Sequence, residues 1–457
     1  MTTRALPSVV DLHERLRTGA ITSVELTRRC LDRIEAANPA LNAVLALDDT
    51  ALAQAAESDR RRAAGHARGP LDGIPLLVKD NIDTRGFATT AGSRLLAGAP
   101  PARDAEIVAR ARAAGTVLLG KTNLSEWANF RSSEATEGWS GAGGQTRHPL
   151  RPSHSPWGSS SGSAVAVATA MAPLALGTET DGSIVGPAGV CGVAGVKPET
   201  GLLPSAGIVP VSAALDVAGV LAGRLADAVT CLEVLAGRDF GGTADLAGAR
   251  FGLWRVPGMP SEVDAVLDDA GKRLRATIVP VELAIPRSLS ANAIRALFAE
   301  FRPSVENYLR TRDGVPSTLA GLIAANRADP VELSLFGQDL FEQTASVSGT
   351  ARTAAETRAQ VRAQARELIR TTLRDHGILA VLAPSNQPAW PIDHANGDPF
   401  PRTSSTPAAL AGYPNVSVPA GDVAGLPIGL SVFGPATSAE LLPLALALEQ
   451  ELKERPC

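Results

Sequence analysis

The chain has 457 residues and a formal net charge of −4, with 45% hydrophobic and 20% charged residues. These values are typical of a globular protein and exclude a disordered or membrane-embedded chain. Neither sign of charge is in excess, so neither nucleic acid nor a membrane surface is expected as a partner.

The four cysteines lie far apart and form no CxxC pair; they are Cys30, Cys191, Cys231 and Cys457. This spacing predicts free thiols in a reducing compartment rather than a zinc site or a disulfide framework. The first thirty residues lack the apolar stretch of a signal peptide. The least polar stretch, residues 164–176, is shorter than the roughly 20 apolar residues that cross a bilayer. The sequence therefore predicts a cytoplasmic protein.

In chain order, helical spacing of apolar residues over residues 9–60 predicts an N-terminal helical layer. Residues 71–223 contain short apolar runs separated by Gly, Pro, Ser, Thr and Asn clusters, which predicts alternating strands, helices and long loops. A strand over residues 251–256 precedes a mostly helical pattern over 261–375. Strand-like runs and a last helix follow over 378–453. Because strands flank the helical block, we predict one α/β domain over residues 1–457, with a mixed sheet and an inserted helical cap.

Two loops rich in small polar residues carry the chemical information. GSSSGS, residues 158–163, leads into an Ala/Val-rich helix, and TETDGSIVG, residues 178–186, follows a second apolar run. Small residues let backbone N–H groups converge on one point, as an acyl-transfer enzyme requires for an oxyanion. A phosphate-cradling loop or a plain turn is the alternative, but the GxxxxGK[ST] and GxGxxG patterns are absent from this region.

Residues 158–162 also match GxSxG, the nucleophile elbow of α/β-hydrolases, which would make Ser160 a nucleophile with a histidine partner. The preceding RPSHSPW is a poor strand, and only His148, His154 and His394 lie outside charged helical stretches. A lysine can replace histidine as the base when burial lowers its pKa. Lys79 follows the apolar run IPLLV, which would hold its stem in a sheet, although most lysines are solvated surface charges.

The segments GIPLLVKDNID, GSSSGS and TDGSIVGPAG, in this order, resemble the amidase signature family. The resemblance implies a large mixed β-sheet sandwiched between α-helices and hydrolysis of a carboxamide through an acyl-serine, without a metal or other cofactor. It makes Lys79 the base, Ser159 the bridging serine and Ser183 the nucleophile. The 24-position step between the family's two serines separates Ser159 from Ser183. The resemblance also implies a cis peptide bond between Gly158 and Ser159.

Backbone N–H groups are expected to bind the oxyanion. They belong to Thr180, Asp181, Gly182 and Ser183. The hydroxyls of Ser161 and Ser163 are expected to orient Ser159 and Lys79, with a helix N-cap as the alternative for each.

Within the family, several stretches are most similar to bacterial peptide amidases, which remove the C-terminal amide of peptides. These are KTNLSEWANF, GGQTRHP, FGQDLFEQ and SSTPAALAGYPNVSVPAG. Two departures stand out, since Val185 replaces a common arginine and Trp157 replaces a glycine. Seven residues are expected to line the substrate pocket: Trp127, Asn129, Trp157, Phe336, Gln338, Phe341 and Tyr413.

The expected substrate is a small-molecule or peptide amide, handled by a monomer or homodimer with no nucleic-acid or membrane partner. An aryl or aliphatic amidase or an esterase of the same family is an alternative. The glutamine-hydrolysing subunit of a tRNA-dependent amidotransferase is another, and Val185 argues against it. An inactive homologue is disfavoured because Lys79, Ser159 and Ser183 are all retained.

Overall fold

The structure, a computed structural model, describes residues 6–98, 100–347, 351–399 and 402–453. Its centre is an eleven-stranded mixed sheet, accompanied by a separate pair of two-residue strands, β4 (Trp139–Ser140) and β5 (Gly144–Gln145). The strands of the large sheet are β1 (Val44–Leu47), β2 (Pro75–Lys79), β3 (Val117–Thr122), β6 (Leu174–Glu179), β7 (Ala194–Lys197), β8 (Val217–Ala222), β9 (Arg250–Trp254), β10 (Thr277–Val281), β11 (Ala380–Pro384), β12 (Asn415–Val423) and β13 (Leu426–Phe433).

The spatial order of the strands is β1-β3-β2-β6-β8-β7-β12-β13-β11-β9-β10. Strand β2 is parallel to both of its neighbours, β3 and β6, whereas β6 is antiparallel to β8. Every residue of β2, β3 and β6 is buried. Burial on both faces explains why these strands read as continuous apolar runs rather than as an alternating pattern.

Fourteen helices accompany the sheet in the described part of the chain. They are α1 (Val9–Arg17), α2 (Ser23–Leu41), α3 (Ala51–Ala63), α4 (Glu106–Ala113), α5 (Ser161–Ala168), α6 (Val185–Cys191), α7 (Leu225–Ala236), α8 (Ser261–Arg273), α9 (Arg287–Leu309), α10 (Leu319–Ala328), α11 (Asp339–Ser346), α12 (Ala351–His376), α13 (Thr406–Ala411) and α14 (Ser438–Lys453). Thr22 caps α2, since its hydroxyl accepts from the Glu25 N–H while the Glu25 carboxylate accepts from the Thr22 N–H.

The two faces of the sheet carry different helices because successive side chains of a strand point to opposite sides. Leu76 and Val78 pack in a cluster with residues of α1, α4, α7, α8 and α14. Leu77, between them, packs on the other side with residues of α2, α3, α5 and α6. The prediction of a large mixed sheet sandwiched between helices is therefore confirmed.

The helices α9 to α12 form the cap predicted from the helical pattern, and α12 packs along α9. Two details of the predicted segments are wrong. The segment 261–375 also contains β10, and the N-terminal helical segment 9–60 contains β1. Both are edge strands with exposed residues, so neither has the continuous apolar run of a central strand.

The remaining expectations from composition are simpler to compare. Cys30, Cys191 and Cys231 are free and buried, and Cys457 lies outside the described residues. Among the described helices, none combines the length and the apolar character that crossing a bilayer requires.

We predict that Phe341→Ala on α11 destabilises the fold by about 3–5 kcal/mol, because it leaves a cavity beside Trp127 and Phe301. Urea unfolding measures the loss. Ile294→Ala, at a 57% exposed site on α9, is the control and should change stability by less than about 0.5 kcal/mol. A normal unfolding free energy with a raised KM would instead assign Phe341 to the substrate pocket.

Candidate active site

The site begins where two neighbouring parallel strands end. Lys79 is the last residue of β2, and Thr178 and Glu179 are the last two of β6. Because β2 and β6 run parallel, with Val78 opposite Leu176, their carboxyl ends meet at the same edge of the sheet. Lys79 follows Leu77 by two residues and so lies on the sheet face covered by α5. This register brings the lysine amine to the GSSSGS loop that precedes α5.

Lys79 contacts hydroxyls from both predicted loops. Its Nζ lies 2.7 Å from Ser159 Oγ and 3.0 Å from Ser160 Oγ. It also lies 2.9 Å from Thr178 Oγ1 and 3.2 Å from the Thr178 carbonyl oxygen. The side chain is fully buried, so the prediction that a strand end holds this lysine inside the fold is confirmed.

Burial lowers the pKa of Lys79 from 10.5 to about 7, because a charged amine loses its hydration in the interior. The nearby carboxylates of Glu137, Asp216 and Glu179 act in the opposite direction and keep the pKa from falling further. A substantial neutral fraction of Lys79 is therefore present near neutral pH. A neutral amine has the free lone pair that a base requires.

Ser159 is fixed through its backbone. The Gly158–Ser159 peptide bond is cis, as the family resemblance implied. The Ser125 N–H donates to the Ser159 carbonyl at 3.1 Å, and the Ser160 N–H donates to the Ser183 carbonyl at 3.1 Å. The second of these hydrogen bonds ties the GSSSGS loop to the TETDGSIVG loop, so the two serines proposed from sequence belong to one site.

The loop that carries Ser183 is closed by the side chain of Glu179. The Glu179 carboxylate accepts hydrogen bonds from the N–H groups of Ile184 at 2.7 Å and Val185 at 3.0 Å. Gly182 has φ of +85°, in a region that residues with a Cβ rarely adopt, and this conformation reverses the chain before Ser183. The turn is thus held at both ends, which limits the positions that Ser183 can take.

The predicted oxyanion donors lie in this same turn. Within the part of the chain that the structure describes, the N–H groups of Asp181, Gly182 and Ser183 donate to no protein acceptor. Side chains on either side fix the turn, since the Thr180 hydroxyl donates to Asp216 at 2.6 Å and the Ser405 hydroxyl donates to Asp181 at 2.5 Å. Adjacent free N–H groups in a fixed turn provide an anion-binding concavity.

The Ser183 hydroxyl is half-buried and has no hydrogen-bond partner among the described residues. The hydrogen bond from Ser183 to Ser159 that a relay requires therefore stays a prediction. By contrast, the first link of that relay, between Ser159 and Lys79, is present.

Ser161 and Ser163 do not orient Ser159 or Lys79 directly, contrary to the prediction. The Ser163 hydroxyl lies 2.7 Å from Thr122 Oγ1 and donates to the Leu176 carbonyl at 2.9 Å. The Ser161 hydroxyl is buried without a hydrogen-bond partner in the described structure. Both lie in the first turn of α5, which directs them away from the lysine.

Ser160 and Thr178 take the place that the prediction gave to Ser161 and Ser163. The Ser160 hydroxyl donates to the Thr178 carbonyl at 3.0 Å and also contacts Lys79. The Asn81 side-chain amide donates to Thr178 Oγ1 at 3.0 Å. Their position next to the motif serines was the only sequence signal for Ser160 and Thr178.

The serine–histidine alternative is not supported by the geometry. His148 contacts the Val190 carbonyl, His154 contacts Ser153, and His394 contacts Gln145. Within the described contacts, none of these rings is hydrogen-bonded to the two serine-rich loops. Ser160, the nucleophile of that alternative, is fully buried against Lys79.

The predicted pocket residues divide into two groups. Trp127 and Phe341 meet edge to face at 5.5 Å in a hydrophobic cluster of the cap. Phe341 has no exposed surface, so the prediction that it lines a substrate pocket is wrong. Gln338 accepts a hydrogen bond from Asn326 at 2.9 Å and is likewise buried within the cap.

Other members lie nearer the two loops. The Trp157 ring packs against Gly186, three residues after Ser183, and against Trp390 at 5.6 Å. Asn129 donates to Glu137 at 3.2 Å. The pocket roles of these residues stay predictions, as do those of two residues with aromatic or cationic neighbours: Phe336, which packs on Trp139 and His394, and Tyr413, whose ring lies 5.5 Å from the Arg366 guanidinium.

The largest cavity among the described residues, of about 1040 Å³, lies elsewhere. Residues 101–104 and 205–208 form one wall, and α9 forms another. Lys79, Ser159 and Ser183 do not line it. The cavity adjoins the site only at Asp216, which accepts the hydrogen bond from Thr180.

A lysine base held against a serine-rich loop on a mixed α/β sheet is the arrangement of serine hydrolases that work without histidine. The sequence profile described as Amidase matches residues 25–442. The chain belongs to this family, the amidase signature enzymes, and is a hydrolase of C–N bonds in linear amides.

Two solved peptide amidases are similar over nearly the whole chain. The peptide amidase PAM in complex with the competitive inhibitor chymostatin is 44% identical, with a TM-score of 0.92 and 99% of each chain covered. Native peptide amidase from Stenotrophomonas maltophilia is 43% identical, with a TM-score of 0.90 and coverage of 99% of this chain and 98% of that chain.

Curated relatives include a second kind of amidase. A glutamyl-tRNA(Gln) amidotransferase subunit of Roseiflexus sp. (strain RS-1) is 37% identical, with 94% of this chain and 93% of the relative covered. A probable amidase of Arabidopsis thaliana is 33% identical, with 97% of this chain and 89% of the relative covered.

The buried amine makes a prediction about stability and pH. Unfolded Lys79 has its ordinary pKa of 10.5 and folded Lys79 a pKa of about 7. Between these values the unfolded state binds more protons, so stability rises with pH by up to about 1.4 kcal/mol per unit. The unfolding free energy of the native protein should therefore rise relative to that of Lys79→Met from pH 7 to pH 10. Urea unfolding at several pH values measures this difference.

Lys272→Met, at an exposed position on α8, is the matched control. Its stability difference from the native protein should be flat over the same pH range. A flat difference for Lys79→Met as well would contradict the lowered pKa of Lys79.

Proposed function

We propose that Ser183 attacks a carboxamide carbonyl while Ser159 and Lys79 relay its proton. The observation that carries the proposal is the 2.7 Å contact between Lys79 Nζ and Ser159 Oγ in a site from which water is excluded. The lowered pKa of Lys79 supports the same role, because only the neutral amine can accept a proton.

In the proposed first half-reaction, Ser183 passes its proton to Ser159 as Ser159 passes one to Lys79. The Ser183 oxygen bonds to the carbonyl carbon, and the negative charge moves to the carbonyl oxygen. Backbone N–H groups of residues 180–183 stabilise this oxyanion, and each such donor contributes on the order of 3–4 kcal/mol in comparable sites. The C–N bond then breaks, and the departing nitrogen takes the relayed proton and leaves as ammonia or an amine.

In the second half-reaction, water replaces the departed nitrogen. Its proton follows the same path through Ser159 to Lys79 as its oxygen attacks the acyl-Ser183 carbonyl. The Ser183 oxygen leaves with that proton, and the product is a carboxylic acid. The cycle restores neutral Lys79 and both serine hydroxyls.

We propose C-terminal peptide amides or amino-acid amides as the substrates. The 43–44% identity with two peptide amidases supports this class. Ammonia release from a panel of peptide amides, simple aliphatic amides, anilides, esters and glutamine tests it. Peptide amides should give the highest kcat/KM, whereas a clear preference for anilides or esters would reject this substrate class.

We predict that Ser183→Ala lowers kcat by on the order of 10⁴-fold or more, since it removes the attacking atom. Lys79→Ala and Ser159→Ala should each lower kcat by about 10²–10⁴-fold, because they remove the proton relay. Ser205→Ala, in an exposed loop, is the control. Full activity in the Ser183 or Lys79 variant would refute the mechanism.

Covalent labelling tests the nucleophile independently of turnover. After treatment with phenylmethylsulfonyl fluoride, mass spectrometry should find the adduct on Ser183. An adduct on Ser160 would instead restore the nucleophile-elbow alternative.

We predict that kcat/KM rises with pH through about 7, because protonated Lys79 cannot accept the relayed proton. The sign follows from the direction of the pKa shift: activity is lost as pH falls through the pKa of the folded protein. Initial rates between pH 5 and 9 measure it. A limb that rises only near the ordinary lysine pKa would show that Lys79 is not the base.

A second candidate is the glutaminase subunit of a tRNA-dependent amidotransferase, favoured by the 37% identity over 94% of the chain. Val185 in place of the common arginine is an argument against it. We propose instead that the protein acts as a cytoplasmic monomer or homodimer without nucleic acid. Light scattering of the purified protein, with the panel measured in parallel, separates the two. Glutaminase activity that requires partner subunits and tRNA would favour the amidotransferase.

A further inference from the structure

A buried carboxyl group, Glu137, lies beside the serine loop and has no role in the mechanism above. Its side chain is on a connection between elements and is only 7% exposed. The Ser125 hydroxyl donates a short hydrogen bond to Glu137 Oε2, and the Asn129 amide donates to Oε1 at 3.2 Å. Among the described residues, no Lys, Arg or His forms an ion pair with it. A buried carboxylate without a cationic neighbour is costly, so its retention calls for a function.

Glu137 reaches Ser159 through Ser125. The Ser125 N–H donates to the Ser159 carbonyl at 3.1 Å, and Ser125 Oγ accepts from the Gly138 N–H at 2.8 Å. A Cβ on Gly158 would overlap both Ser125 Oγ and Glu137 Oε2. The pair Ser125–Glu137 is therefore packed against the residue that precedes Ser159 and holds the Ser159 backbone from one side.

The charge of Glu137 also acts on Lys79. Of the three carboxylates that favour the charged amine, Glu137 has the largest effect, followed by Asp216 and Glu179. Burial raises the pKa of Glu137 itself to about 7, with a further contribution from Asp398, whose Oδ2 accepts from the Glu137 N–H at 2.6 Å. The acid and the amine therefore titrate in the same pH range.

We propose that Glu137 is a positioning residue for amide hydrolysis, which holds Ser159 in place through Ser125 and sets the pH range in which Lys79 acts as the base. The proposal rests on the proposed function, since it assumes that Lys79 and Ser159 relay the proton. It assigns a role in catalysis to a residue outside the three motifs that identify the family.

Glu137→Gln tests the charge. A glutamine oxygen can still accept from the Ser125 hydroxyl, so the variant removes the charge and keeps a hydrogen bond. Without that carboxylate the Lys79 ammonium is less favoured, and the acid limb of kcat/KM should move to lower pH by about one unit. Glu134→Gln, at an exposed position in the same connection, is the matched control and should leave the limb in place.

Ser125→Ala tests the positioning. It removes the hydroxyl that joins Glu137 to the backbone holding Ser159, so kcat should fall by about 10- to 100-fold with KM within about twofold. Both variants are first compared with the native protein by circular dichroism and thermal melting. If Glu137→Gln does not fold, the kcat of Ser125→Ala decides.

An acid limb within about 0.2 pH unit of the native one in folded Glu137→Gln would overturn the proposal. Native kcat in Ser125→Ala would also overturn it. These failures differ from a failure of the proposed function, which would appear as undiminished amide hydrolysis by Lys79→Ala in the same assay.

Discussion

The removal of a lysine amine from water is the constraint on which the rest of the site depends. In water, Lys79 would be protonated and would not act as a base. Burial at the end of a central strand shifts the balance towards the neutral amine, and hydroxyl and carbonyl groups of Ser159, Ser160 and Thr178 satisfy its hydrogen-bonding capacity. This arrangement is tolerated because the amine loses charge instead of keeping an uncompensated ion in the interior.

The topology of the sheet makes this burial possible. Parallel neighbours β2 and β6 end at the same edge, and a helix covers each face beside them. The lysine from one strand thus meets the hydroxyl of Thr178 from the next, and the loop before α5 supplies Ser159. The antiparallel partner β8 then closes the other side of β6 without interrupting the hydrogen bonds of the sheet. Catalytic groups from segments about 80 to 100 positions apart are brought together by strand register alone.

Much of the site could be predicted because its residues belong to motifs. Lys79 follows an apolar run that indicates a buried strand, and Ser159 and Ser183 lie in loops of small residues. The structure places Lys79 and Ser159 in contact and joins the two loops, while the Ser159–Ser183 hydrogen bond stays a prediction. The resemblance supplied the roles of these residues, which spacing could not.

The residues that were missed or misplaced share a physical cause. Ser160 and Thr178 look like ordinary loop residues, and only their distance to the Lys79 amine distinguishes them. An aromatic residue such as Phe341 has the same appearance in sequence whether it lines a pocket or packs inside a cap. Edge strands such as β10 are short and partly exposed, so local periodicity does not separate them from connections. Each case depends on long-range packing, which sequence patterns do not record.

The place of β2 and β6 in the strand order has a consequence for the durability of the site. They are the third and fourth of eleven strands, whereas β1 and β10 occupy the two edges. Edge strands fray most easily, and central strands open only when a large part of the fold does. Amide hydrogens of β2 and β6 should therefore be among the slowest to exchange. Water then reaches the amine of Lys79 only in rare openings of the whole sheet, and thermal motion at the periphery leaves the catalyst intact.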